Sequence, residues 1–368
     1  MQINLYLCTK FPNMTSRIDI QLAAEAHRLL NAARRVVIFT HMGPDGDAMG
    51  SSLALRHYLE SRAADVRATV IVPNDFPDFL AWLPGAAEVL VYERQAEMCD
   101  QRLDEADLAV CLDFNDAKRI GPIGERLLQK PCPKLMIDHH LHPTDFATVM
   151  ISDPSASSTC ELVYYLLNQG QSNSNHEQDN WRPILDIANC LYTGLMTDTG
   201  NFSYNSSNPD LYEIVAELMR AGIEKDKIYD RVFNQYSADR MHMTGYCLYR
   251  KMQLFPEYHL ALITLSIEEL KQFNYKQGDT EGIVNMPLQM GDIFYSVFMR
   301  EQEPKPGTSK NVVKVSFRSQ GDRPVNVMAA EVFRGGGHAN ASGGDFYGSI
   351  RAAARLFLRE YPKYFKKD

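Results

Sequence analysis

No uninterrupted apolar stretch in these 368 residues approaches the roughly 18–20 residues that a membrane-spanning helix needs, so a helical membrane protein is excluded. Surplus positive charge is also missing. Lys and Arg number 38 against 46 Asp and Glu, a net charge of −8, which argues against a coat for duplex DNA or for an anionic lipid surface. The seven cysteines are an odd number and contain no CxxC pair, so a zinc ribbon and a thioredoxin-type site lack support. Several stand inside apolar runs such as Ala109-Val110-Cys111-Leu112, where a thiol packs as a small hydrophobe. That usage points to a cytoplasmic chain. No repeat of fixed period is present. The opening MQINLYLCTKFPNMT lacks the apolar core and cleavage site of a signal peptide. Residues 1–17 read as a leader, with Met14 as an alternative start.

What is present is the composition of a globular chain, 45% hydrophobic, 23% charged and 10% aromatic. Its length suits two domains of about 100–200 residues each. Helical spacing of apolar residues predicts helices over Ile18–Arg34 and Ser51–Ser61. Short apolar or β-branched runs at Val36–Phe39, Val66–Val72, Leu108–Leu112 and Lys134–Ile137 predict strands. Their alternation with helices predicts a parallel sheet covered on both faces. Ile184, Ile187, Ala188, Leu191 and Leu195 mark a helix that runs into Thr197-Asp198-Thr199-Gly200. Gln169–Asn180 reads as a polar surface loop, and Asn208-Pro209 as a helix N-cap followed by Pro at N1.

Beyond about Arg240 the texture changes. Strand-like runs at His259–Leu265, Ile293–Met299 and Val312–Phe317 are separated by helices and by a Pro/Gly loop at Glu303–Lys310. Val325–Phe333 leads into Arg334-Gly-Gly-Gly-His338, and Ile350–Tyr361 forms a closing amphipathic helix. The expected organisation is an α/β domain over 18–225, a linker helix region over 226–250 and a smaller α/β domain over 251–368.

The acidic and imidazole groups fall where the strands end. His41, Asp45 and Asp47 occupy a polar stretch directly after a strand, Asp113 ends the next buried run, Asp138-His139-His140 ends a third, and Asp198 ends an apolar helix. Each alone has an ordinary reading: Asp45 as a turn residue, Asp113 as a helix cap, His139 as a packed histidine. Four clusters in phase with the element ends are harder to dismiss, because ligands of an open parallel sheet bind beyond the carboxyl ends of its strands. So many carboxylates in one crevice repel one another unless a cation neutralises them. Oxygen and imidazole donors without thiolate suit Mn²⁺ or another hard divalent ion. Two His and four Asp exceed the needs of one ion and suit two that share a carboxylate.

His41-Met-Gly-Pro-Asp45-Gly-Asp47, Asp113-Phe-Asn115, Asp138-His139-His140 and Thr197-Asp198-Thr199-Gly200 resemble, in order, the four motifs of the DHH phosphoesterase superfamily. Gly335-Gly-Gly-His338-Ala-Asn-Ala-Ser342-Gly343-Gly344 resembles the glycine motif of the DHH-associated C-terminal domain. The resemblance runs from about Ile18 to near the end of the chain and is strongest to the stand-alone nano-RNase and pAp-phosphatase branch.

It implies a parallel-sheet DHH domain plus a smaller α/β domain, with the active site in the cleft between them. It implies His41, Asp45, Asp47, Asp113, His139 and Asp198 as ligands of two Mn²⁺ ions, for which Mg²⁺ or Co²⁺ could substitute, with Asp113 bridging. Asp113, Asp138, His139 and His140 would form the catalytic group, His140 facing the phosphate and Asp138 orienting the imidazole beside it. Asn115, Arg318, Gly335, Gly336, Gly337, His338 and Ser342 would serve the substrate. Consecutive glycines let backbone N–H groups approach phosphate oxygens, and the Arg318 guanidinium can fork onto a terminal phosphate.

The implied activity is hydrolysis of short single-stranded RNA to mononucleotides, of 3′-phosphoadenosine 5′-phosphate (pAp) to AMP, or of both, by water activated between two cations. Neither duplex DNA nor a membrane is an expected partner, and a homodimer is left open. Two alternatives are a phosphodiesterase of linear or cyclic dinucleotides and a catalytically inactive nucleotide-binding regulator.

Overall fold

The computed structural model describes residues 17–169, 182–302 and 311–365. The leader up to residue 16, the polar loop over 170–180 and the Pro/Gly segment 303–310 lie outside the described residues. The chain divides into two compact units, Met1–Val232 and Phe233–Asp368.

In the first unit α1 (Ile20–Ala32) begins where the Asp19 carboxylate accepts the amides of Gln21 and Leu22, at 2.9 and 3.1 Å. It is followed by β1 (Arg35–Phe39), α2 (Gly46–Arg62), β2 (Arg67–Val72), β3 (Leu90–Val91), α3 (Tyr92–Glu105), β4 (Leu108–Leu112), α4 (Pro122–Gln129), β5 (Lys134–Asp138) and β6 (Val149–Ser152). The helices α5 (Thr159–Gln169), α6 (Leu185–Asp198), α7 (Pro209–Arg220) and α8 (Lys225–Phe233) complete it. All six strands form one parallel sheet in the order β3-β2-β1-β4-β5-β6. β4 and β5 are buried along their whole length, so each is an unbroken apolar run rather than an alternating one. The order reverses between β1 and β4, which opens a crevice beyond their carboxyl ends.

Helix α2 starts well before the expected Ser51. The Asp45 carboxylate accepts the amides of Asp47 and Ala48, both at 3.0 Å, and this cap begins the helix at Gly46. Asp47 therefore stands in the first helical turn, not in a loop. Asn208 caps α7 as expected, accepting the Asp210 amide at 3.1 Å with Pro209 at N1. The six described cysteines are free, and all but Cys132 are buried. Among the described residues no helix is long and apolar enough to cross a membrane.

The second unit contains α9 (Ala238–Tyr246), β7 (Gln253–Phe255), β8 (Leu260–Leu265), α10 (Ile267–Gln272), β9 (Tyr295–Gln302), β10 (Val312–Ser319), α11 (Asn326–Phe333), β11 (Gly336–His338), β12 (Ala341–Tyr347) and α12 (Ile350–Glu360). Its sheet runs β11-β12-β10-β9-β8-β7, antiparallel except where β8 meets β9. Along β10, Val313, Val315 and Phe317 enter a core with Met328, Phe333 and Phe357, while the alternating Lys314, Ser316 and Arg318 take the opposite face.

The glycine run is a strand pair rather than a loop. A Cβ at Gly335 would lie 1.8 Å from the Gly343 carbonyl oxygen, and one at Gly337 would lie 2.7 Å from that of Ala341. These two glycines let the start of β11 approach β12, and Gly344, whose added Cβ would lie 2.5 Å from the Phe333 carbonyl oxygen, lets β12 approach the end of α11. Gly336 has open space where its side chain would be.

Candidate functional site

The first unit gathers His41, Asp45, Asp47, Asp113, Asp138, His139, His140 and Asp198 at the carboxyl edge of its sheet. His41 follows β1, Asp45 and Asp47 open α2, Asp113 follows β4, the Asp-His-His run closes β5, and Asp198 closes α6. Asp113 sits at the centre, and its two oxygens face different neighbours. Oδ2 lies 3.2 Å from His41 Nε2, which is also 3.7 Å from Asp45 Oδ2. Oδ1 lies 3.7 Å from His139 Nε2, and that nitrogen is 3.4 Å from Asp198 Oδ2 and 3.9 Å from Asp47 Oδ2. Two donor nests result, one of His41, Asp45 and Asp113, the other of Asp47, Asp113 and His139. Within each, the donor atoms lie within 4.8 Å of one another.

The imidazoles are set by what their other nitrogens meet. His41 Nδ1 is 3.1 Å from the Met42 carbonyl, and His139 Nδ1 is 3.2 Å from that of Ala156. With each Nδ1–H donating there, a neutral ring turns its Nε2 lone pair onto carboxylate oxygens. That contact repels unless a proton or a cation lies between, and it is the arrangement of a metal-ligating histidine.

Protons alone serve poorly. Burial by itself would lower His41, but hydrogen bonds to Asp113 and Asp45 more than reverse it, to about 10. Burial likewise opposes the rise of His139, which the charges of Asp198, Asp113 and Asp47 carry to about 9. Burial and the Asp113 and Asp198 charges push the Asp47 carboxyl well above the usual range. Asp198 rises to about 7 through burial and the charges of Asp45 and Asp113, against the opposing effect of His139. Asp113 goes the other way: burial would raise it, but the His41 hydrogen bond and charge hold it below the usual range. The site thus contains imidazoles that keep their protons beside carboxyls that resist losing theirs. A divalent cation in each nest relieves both, and the oxygen and imidazole donor set fits one.

Residues that the motifs do not name hold this arrangement. The Asp47 carboxylate accepts the amides of Thr159 and Cys160, at 2.6 and 2.8 Å, and so caps α5. Thr159 Oγ1 donates to Asp113 Oδ1 at 3.0 Å. The Ser157-Ser158-Thr159-Cys160-Glu161 stretch carries a Ser-x-x-Glu start signal that could have located this helix end. Asp138 fixes His140 twice, accepting Nδ1–H at 2.7 Å and the backbone amide at 2.9 Å. Asn115 is buried, and its amide nitrogen donates to the carbonyls of His140 and Leu141, at 3.1 and 2.9 Å. It ties the loop after β4 to the loop after β5, and those two bonds are within the protein.

In the second unit, Arg318 is half-buried on β10 and donates to its own Phe317 carbonyl at 2.9 Å. Register places it opposite Ala341, while Gly337 pairs with Ser342 and His338 with Ala341. Ser342 is buried, and its hydroxyl has no hydrogen-bond partner among the described residues. Gly336 is the exposed, uncrowded member of the glycine run. Back in the first unit, Phe202 packs against Tyr192 and Tyr212 with ring centroids 6.0 and 6.1 Å apart, and Tyr204 is 51% exposed.

The profile of the DHH family, N-terminal domain, matches residues 35–195. A solved exopolyphosphatase-related protein from Bacteroides fragilis is 44% identical and superposes with a TM-score of 0.85, covering 95% of this chain and 98% of that one. The bifunctional oligoribonuclease and PAP phosphatase NrnA of Thermus thermophilus is 28% identical over 315 residues, 85% of this chain and 84% of its own length. The Bacillus subtilis protein of the same name is 23% identical over 331 residues, 89% of this chain and 94% of its own length.

Proposed function

The chain belongs to the DHH family, on its NrnA-like branch, and is a hydrolase of phosphate esters; from that premise we propose that it is a divalent-metal-dependent enzyme cleaving very short oligoribonucleotides to mononucleotides and pAp to AMP. The observation that carries the metal reading is Asp113, which offers one oxygen to each of two His/Asp nests. The names of the Thermus thermophilus and Bacillus subtilis relatives supply the substrate class.

His41, Asp45 and Asp113 would hold one cation, and Asp47, Asp113, His139 and Asp198 the other. Manganese is the ion we assign, because a donor set rich in carboxylate oxygen and free of thiolate suits a hard divalent ion. Bound there, the pair would supply Lewis acidity toward phosphate oxygens and acidify a water. The remaining residues orient. Asp138 locks the His140 ring so that Nε2 points away from it, where it can meet a phosphate oxygen, and Asn115 keeps the two loops in register. In the second unit Arg318, Gly335, Gly336, Gly337, His338 and Ser342 are assigned to binding of substrate phosphate, Ser342 through its backbone because its hydroxyl is buried.

The test is a product time course with chelator-stripped protein given Mn²⁺ or Zn²⁺ and offered pAp, a labelled RNA dinucleotide, cyclic di-AMP and pyrophosphate in parallel. Consumption of the first two, restored best by Mn²⁺, is the expected result. Turnover confined to cyclic di-AMP or pyrophosphate would overturn the substrate assignment, and full activity without metal would overturn the cation assignment. Arg318→Ala should lower kcat/KM on pAp by about tenfold or more, the value of one charge-assisted contact. Bis-p-nitrophenyl phosphate has no second phosphate, so the loss there should be distinctly smaller; equal losses would mean that Arg318 supports the fold.

A further inference from the structure

Arg119 lies outside every motif that marks the site, yet its backbone is pinned between two of the site's loops. The Asp116 carboxylate accepts the Lys118 amide at 2.9 Å and so caps the short turn Ala117–Ile120 that carries Arg119. The Met42 amide, next to His41, donates to the Arg119 carbonyl at 2.8 Å. The half-buried side chain reaches His140, with Nη2 3.4 Å from His140 Nε2. Asp138 holds the other side of that ring, with His140 Nδ1 2.7 Å from Asp138 Oδ1, and this one long contact leaves most of the guanidinium N–H donors for something else.

The charges nearby make its state informative. In the same unit Arg17, Arg34, Arg56, Arg94 and Arg126 pair with carboxylates, and Arg62 and Arg231 lie over the rings of Tyr58 and Trp82. Arg119 stands beside a nest of aspartates, and no carboxylate lies within ion-pair distance of it among the described residues. The fold holds a cation next to a strongly acidic site without letting it collapse into that site. A fork of N–H donors in that position matches the non-bridging oxygens of a phosphate.

We propose that Arg119 grips the scissile phosphate beside His140, bearing on the oxygens where charge accumulates as the ester is cleaved. This rests on the phosphate-ester reading of the site, and not on which nucleotide is the substrate.

The experiment compares wild type, Arg119→Lys and Arg119→Met in manganese-loaded full-length protein, on pAp and on bis-p-nitrophenyl phosphate. Titration of inorganic phosphate reads the same contact without turnover, and calorimetric manganese affinity and Tm serve as structural readouts. Arg119→Met should lose about 10- to 100-fold in kcat/KM on both esters and should bind inorganic phosphate more weakly. Arg119→Lys should recover part of the loss, since it keeps the charge without the fork. Manganese affinity and Tm should hold.

Wild-type rates and phosphate binding in Arg119→Met would overturn the proposal. So would a loss on pAp alone, which would place Arg119 at a different phosphate, or a loss matched by weaker manganese binding, which would make it a strut for the ligand loops. A wild-type protein that cleaves bis-p-nitrophenyl phosphate but neither pAp nor RNA would sink the substrate reading and leave the Arg119 comparison intact.

Discussion

Asp113→Asn should leave a folded protein whose turnover on every phosphate ester is lower by at least about 10³-fold, the rate equivalent of several kcal/mol of Lewis-acid stabilisation. Asp113 is the residue with an oxygen in each donor nest, facing His41 on one side and His139 on the other. Its backbone is left-handed, with φ 63°, a conformation that Asn tolerates better than other non-glycine residues. The substitution therefore keeps the turn after β4 and the near-isosteric shape, and removes mainly the shared negative charge. Kinetics on pAp and bis-p-nitrophenyl phosphate would be read beside calorimetric titration of Mn²⁺. Weakened binding or a lost equivalent should accompany the fall in rate. Two equivalents at wild-type affinity together with near-wild-type turnover would show that Asp113 does not bridge.

The acidic and imidazole residues of this centre are legible because the parallel sheet writes its strands plainly. β4 and β5, covered on both faces, appear as apolar runs, and the polar residue that ends each run is the one delivered to the crevice. The residue pattern alone is enough to place Asp113 and Asp138 in that way. It is not enough for the start of α2. From Gly46 to Arg56 every residue is buried, so no polar face marks a helical period, and the capping by Asp45 competes with its reading as a turn residue. β3 has two residues and β6 four, too few for a pattern.

Clustered glycine ordinarily signals backbone freedom. At Gly335 and Gly337 the reason is the close approach of neighbouring backbone. Thr159 and Arg119 were invisible for another cause: their place in the site depends on a helix end or a turn being brought to it from elsewhere in the chain. The same holds most strongly for a residue with no side chain at all.

Gly194→Ala should cost both stability and catalysis, although Gly194 bears no chemical group. It lies inside α6, where alanine is ordinarily favoured by about 0.8–1 kcal/mol. Here a Cβ would stand 2.2 Å from the buried Cys160 sulfur and 2.9 Å from Asp47 Oδ1. Overpacking a tight core typically costs about 1–3 kcal/mol, so the clash outweighs the helical gain and Tm falls. The way it is relieved matters more. Cys160 and Asp47 are joined through the cap on α5, and α2 already meets α6 through Gly46 and Gly50, whose added Cβ atoms would lie 2.3 Å from Thr197 Oγ1 and 2.5 Å from the Cys190 carbonyl. With little slack along that contact, α6 must shift against Asp47, and Asp198 at its end shifts with it. A displacement near 1 Å can cost on the order of 10²-fold in rate, so a loss of about that size is expected, with weaker Mn²⁺ binding. Gly245→Ala is the control, since Gly245 also lies in a helix and has nothing within 4 Å of its missing Cβ; it should be neutral or slightly stabilising. In a Cys160→Ala background the 2.2 Å contact disappears while the one to Asp47 remains. Gly194→Ala should then recover much of its Tm and little of its Mn²⁺ affinity, a non-additivity that a double-mutant cycle measures. If Gly194→Ala matches Gly245→Ala in Tm, Mn²⁺ binding and turnover, the close approach of α6 to Asp47 is not what positions this site.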